Sequence, residues 1–197
     1  MTVIPGEGRV PILYGHQPMP TPPHLTGYVA RPDTVSPHPA LAIATGSGVT
    51  AASATLARFI ARHGFAAVVP PESPGQLAAC VDAFGAAWAE WTRRDRRAVA
   101  GVGSGADRAV QVAAERGLPL LLLDPDRVTA DAAGCGPVLT LAAGAVVGLP
   151  GRVVAYGSVS TGFWDDASPG YDIGAGRDAF DRIVAFLDRH LGLPAAA

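Results

Sequence analysis

The segment from Arg97 to Arg116 constrains the fold more than any other. An apolar run, Ala98 to Val102, meets a cluster of three glycines, Gly101, Gly103 and Gly105, and a helical pattern starts at once. That order of residues reads as a strand, a sharp turn and a helix. In an open parallel sheet such a junction lies at the carboxyl edge of a strand, where ligands bind.

The same unit recurs along the chain. Leu41 to Thr45 reads as a short buried strand, closed by Gly46-Ser47-Gly48. Thr50 then caps a helix from Ala51 to Arg62, which Gly64 ends. Phe65 to Val69 is the next strand and runs into Pro70-Pro71-Glu72. A second helix is expected over about residues 75–93, where Leu77, Val81, Phe84, Trp88 and Trp91 recur at spacings of three and four. Arg93, Arg94, Arg96 and Arg97 read as its solvated basic end. Leu118 to Leu123 (ending in Asp124), Pro137 to Leu141 and Arg152 to Tyr156 are further strands, and Asp178 to Leu191 is a closing helix.

Residues 1–25 are rich in proline and are expected as an extended surface arm, with His16 and His24 as solvated loop residues. Gly27 to Pro32 reads as a strand, and residues 26–197 as one α/β domain. Short apolar strands alternating with helices imply a mostly parallel sheet with helices on both faces. Functional groups are then expected at strand carboxyl ends: Thr45, Glu72, Gly103, Ser104, Asp124 and the loops after Leu141 and Tyr156.

A net charge of -2 speaks against a nucleic-acid footprint. Leu118 to Leu123, the longest apolar run, is far shorter than the ~20 residues of a membrane-spanning helix. The amino terminus carries no basic stretch before an apolar core, so a cytoplasmic protein is expected. Cys80 and Cys135 form neither a disulfide framework nor a metal spacing, and no metal or cofactor is expected.

Over residues 26–192 the order of motifs resembles the dienelactone hydrolase family of α/β-hydrolases. Gly27-Tyr-Val-Ala-Arg-Pro32 with Pro37-His-Pro39 resembles that family's entry segment, and Arg62-His-Gly-Phe-Ala-Ala-Val-Val-Pro70 its second helix–strand junction. The most specific part is Gly162-Phe-Trp-Asp-Asp-Ala-Ser-Pro-Gly-Tyr-Asp172, followed by Ala179 to Leu191. The resemblance implies an α/β-hydrolase fold and a catalytic set: Cys or Ser on the elbow, an Asp after a late strand, and a His before Gly-Phe. In this chain the nucleophile position falls on Gly103 and the histidine on Thr161. Residues 140–147, where the Asp is expected, hold no carboxylate, and the family's His-Glu pair falls on Thr45-Gly46. Acyl transfer by a triad needs a nucleophile, a base and an orienting group, and all three are replaced.

Among the remaining groups, Ser104 lies one residue past the apex and is a substitute nucleophile, set against its role as a helix-start residue. Glu72 and Asp124 are candidate acids or bases, because a carboxylate desolvated at a pocket edge has a raised pKa; turn or cap roles are the alternative. Thr161 can donate a hydrogen bond but is no general base at neutral pH. The expected pocket is lined by Thr45, Gly46, Gly103, Ser104, Ser160, Thr161, Phe163 and Trp164, with Asp165, Asp166 and Tyr171 in the loop at its mouth. Gly101-x-Gly103-x-x-Ala106, with Asp124 downstream, also matches a dinucleotide-binding fingerprint.

Four functions follow as expectations. The first is a triad-less protein that binds a small hydrophobic or polyketide-like molecule, or assists proton transfer, cyclisation or elimination. The second is a non-catalytic scaffold or regulatory protein, the third an ester or lactone hydrolase using Ser104, and the fourth a dinucleotide-binding protein. A small molecule is the expected partner, without nucleic acid or membrane, and a homodimer is compatible with the sequence.

Overall fold

The computed structural model describes residue 8 and residues 10–144 and 148–192. Among these, eight strands form one sheet: β1 (Ile12–Pro18), β2 (Thr26–Pro32), β3 (His38–Thr45), β4 (Ala66–Val69), β5 (Thr92–Val102), β6 (Leu120–Leu123), β7 (Val138–Ala143) and β8 (Arg152–Tyr156). Their spatial order is β1-β2-β4-β3-β5-β6-β7-β8. The β1–β2 and β2–β4 pairings are antiparallel, and every pairing from β4 across to β8 is parallel. Four helices cover the sheet: α1 (Ala51–Arg62), α2 (Gln76–Ala83), α3 (Ala106–Arg116) and α4 (Ile173–Leu191). This is the α/β-hydrolase-like arrangement that the alternation of strands and helices implies. No helix of the described residues is long and apolar enough to cross a membrane.

Strand side chains alternate between the two faces, and the two faces differ in size. Leu41, Ile43, Leu121, Leu123, Leu139 and Leu141 pack in one core with α1 and α4. Ala40, Ala42, Ala44, Leu120 and Leu122 pack in the other with α2 and α3. In the central strand β3 the core positions on that second face, Ala40, Ala42 and Ala44, are all alanine.

Caps fix the helix starts. Thr50 caps α1 in a capping box with Ser53, and Asp172 caps α4 by accepting the Ala175 amide at 2.8 Å. The latter cap begins α4 at Ile173, five residues before the expected Asp178.

Three further expectations are corrected. Part of the expected N-terminal arm, residues 12–18, is the edge strand β1, hydrogen-bonded along its length to β2; residues 1–7 and 9 lie outside the described residues. His16 accordingly sits on a strand with its ring edge-on to Tyr28. The second helix stops at Ala83, because Phe84 turns extended and Gly85 takes φ +75°. A Cβ at Gly85 would lie 2.8 Å from Arg94 Cβ, so the glycine lets the chain double back against β5. The arginines belong to β5, where Arg97 donates to Val81 O in the last turn of α2 and Arg96 to Gly192 O after α4. They do satisfy helix carboxyl ends, but from a neighbouring strand.

Candidate functional site

The elbow follows from three glycines with different tasks. Gly103, the apex between β5 and α3, has φ +54°, the left-handed region that favours glycine. A Cβ built there would meet only the two Asp126 carboxylate oxygens, at 3.8 and 3.9 Å, so the apex has room for a side chain. Its neighbours have none. A Cβ at Gly101 would sit 2.7 Å from Ala106 Cα, and one at Gly105 would run into the Ala44 carbonyl. The sharp strand-to-helix turn is present, and its apex residue, a glycine, carries no side chain.

The structure brings Ser104 and Gly46 together: the Ser104 hydroxyl lies so close that a Cβ on Gly46 would overlap it. Ser104 itself is exposed. Thr45 is buried and donates its hydroxyl to Gly48 O, closing the loop that leads into α1. The histidines are occupied elsewhere. His24 contacts Met19 O, His38 contacts Thr34 Oγ1, His63 contacts Phe59 O, and the rings of His16 and His190 pack on Tyr28 and Phe186. None of these contacts pairs a base with Ser104.

Asp124 ends β6 at φ +50° and is 7% exposed. One carboxylate oxygen accepts the Gly162 amide at 2.6 Å and the other the Ala143 amide at 3.3 Å. The side chain thus ties the end of β7 to the loop that carries Thr161. Glu72 departs from the expected raised carboxylate. It is exposed and ion-paired with Arg108 of α3, and the guanidinium holds its carboxyl below the usual range. Ser160 and Thr161 lie exposed in the same loop. Phe163 is fully buried against Tyr156, ring centroids 4.8 Å apart, and packs in the core.

A cavity of about 330 Å³ opens on the other side of that loop, between α1 and α4. Its floor is Phe59 and Phe180, stacked with centroids 4.4 Å apart, together with Trp164. Asp165, Asp166 and Tyr171 line it as well, so this loop borders a cavity other than the elbow pocket at whose mouth it is expected. Thr45, Gly46, Gly103, Ser104, Ser160 and Thr161 do not line this cavity. Sequence reasoning missed the α1 wall, Thr55, Arg58, Phe59 and Arg62. The signal was a phenylalanine between two arginines on one helical stripe, but only the tertiary pairing of α1 with α4 turns that stripe into a wall.

No protein-family profile and no curated protein matches the chain in sequence. Solved structures do match in fold. A Klebsiella pneumoniae protein assigned as a dienelactone hydrolase superposes with a TM-score of 0.74 at 18% identity, over 91% of this chain and 99% of its own. A dienelactone-hydrolase-like promiscuous phosphotriesterase from metagenomic libraries gives 0.74 at 15% identity, over 92% and 99%. The chain has the fold of dienelactone-hydrolase-like proteins.

Proposed function

We propose that this protein uses the dienelactone-hydrolase-like fold to bind a small, largely apolar molecule and performs no triad-based acyl transfer. The observation that carries this reading is the bare elbow. Gly103 has the left-handed turn and the open space of a nucleophile position but no nucleophile. The surrounding groups support it. Asp124 is engaged by two backbone amides and Glu72 by Arg108, so neither is poised to move a proton. The same engagement of Asp124 speaks against a dinucleotide, whose ribose would need that carboxylate. Among the described residues no histidine is hydrogen-bonded to Ser104, which leaves it without the usual partner of a serine nucleophile.

The test is intact mass spectrometry after a serine-directed fluorophosphonate, beside turnover of a short activated ester. Neither adduct nor turnover is expected. Stoichiometric labelling of Ser104 with turnover would overturn the reading and restore a hydrolase.

A further inference from the structure

We infer that the groove between α1 and α4 is a binding site for a small zwitterion, an aromatic body with a carboxylate at one end and an amine at the other. The assignment deepens the binding function proposed above and rests on it only in that binding is the protein's activity. The groove is distinct from the elbow.

The floor selects the body of the ligand. Phe59, Phe180 and Trp164 present ring surfaces, and on the rim Ile173 is 75% and Tyr171 42% exposed. A flat apolar molecule laid there would cover the rings and the two exposed rim residues. The volume of about 330 Å³ fits a single-ring compound.

The walls select its ends. Arg58 of α1 sets a guanidinium on one wall. Arg58 is held in place: it donates to Tyr28 Oη at 3.0 Å and Thr55 Oγ1 at 2.8 Å, and its guanidinium lies over the Tyr14 ring at 5.6 Å. These contacts use two of its five N–H donors, which leaves donors for a carboxylate. Asp165 and Asp166 make the loop wall negative, while Arg177 and Asp181 on α4 balance one another. The lining thus sets a guanidinium of α1 and two carboxylates of the loop around one apolar floor. A ligand with a carboxylate alone would bring no cation to the two loop aspartates, of which the Asp165 carboxylate accepts, among the described residues, only the Ala167 amide. One with an amine alone would bring no anion to Arg58. Only a molecule carrying both charges complements both walls.

The test is an NMR titration of the full chain with three probes of equal heavy-atom count: 4-(aminomethyl)benzoate, 4-ethylbenzoate and 4-isopropylbenzylamine. The zwitterion is expected to give saturable shifts at the Trp164 indole and the Gly176 amide, and each singly charged probe to bind at least tenfold more weakly. Arg58→Gln should erase the advantage over the amine. Asp165→Asn with Asp166→Asn, which alters only the loop wall, should erase the advantage over the acid. No saturable shift with any probe, or equal binding of all three, overturns the assignment. Fluorophosphonate labelling of the same sample separates the two readings. An adduct would remove the non-hydrolytic function and leave the groove, whereas a failed titration removes the groove and leaves that function.

Discussion

The carboxylate of Asp124 accepts the backbone amide of Gly162 at 2.6 Å, joining two loops 38 residues apart in the chain. The acceptor stands where catalytic chemistry was expected, and its work is mechanical. Asp124→Ala should cost about 2–3 kcal/mol, because two half-buried amides lose a charged acceptor. At this chain length that corresponds to a melting temperature lower by roughly 5–10 °C. Asp124→Asn should cost less, since asparagine tolerates the left-handed backbone and still offers one acceptor oxygen. Thermal unfolding of the two variants checks the order; an unchanged Asp124→Ala protein would sink the assignment.

The elbow should accept a side chain at one glycine and reject it at the next-but-one. Gly103→Cys faces only the Asp126 carboxylate and should cost roughly 1–2 kcal/mol for its positive φ. Gly101→Ala drives a methyl into Ala106 and Ala109 at 2.7 and 2.8 Å and should fail to fold or lose several degrees more. Soluble yield and melting temperature distinguish the two, and thiol titration of the Gly103→Cys protein reports whether the new side chain is open to solvent.

Burial should make acid unfolding begin near neutral pH. His38 is 7% exposed, and burial, helped by the Arg31 charge, pulls its pKa below the ordinary 6.5. His190 shifts in the same direction. The unfolded chain therefore binds more protons as pH drops through 6.5, and stability falls until the folded-state values are passed. Denaturation midpoints from about pH 8 to 5 should decline, with a shallower slope in His38→Gln. Equal slopes would exclude His38 as a source.

The two thiols should differ. Cys80 is fully buried and its pKa is pushed up to about 12, whereas Cys135 is half-buried. Native protein at about pH 8 should alkylate at Cys135 first, and Cys80 should react only in denaturant. Peptide mass spectrometry of a time course reads the order directly.

Much of the parallel sheet was legible because periodicity and punctuation agree there: Leu41 to Thr45, Leu120 to Leu123, the Thr50 cap and the Gly103 turn. The misreadings share a cause. β1 lies between prolines on a sheet edge, where half-exposed residues carry little alternation. Trp88 and Trp91 continue the α2 stripe in spacing alone. They act instead through the Trp88 indole, which donates to Pro18 O, and the Trp91 ring beneath Arg31. At the site, the backbone of the elbow could be read from its glycines. The engagement of Asp124 and Glu72 could not, because Gly162 and Arg108 lie far from them in sequence and near only in the fold.

The alanine face of β3 gives the molecule a stiff half and an adjustable half. Where α2 and α3 cross Ala40, Ala42 and Ala44 there is little side-chain length to yield, and Leu120 and Leu122 fill the space beside them. On the other face Leu41 and Ile43 of the same strand give the core shared by α1 and α4 longer, rotatable side chains. The two halves meet at the Asp124–Gly162 hydrogen bond, where the loop beside the α1–α4 groove is fastened to the carboxyl edge of the sheet.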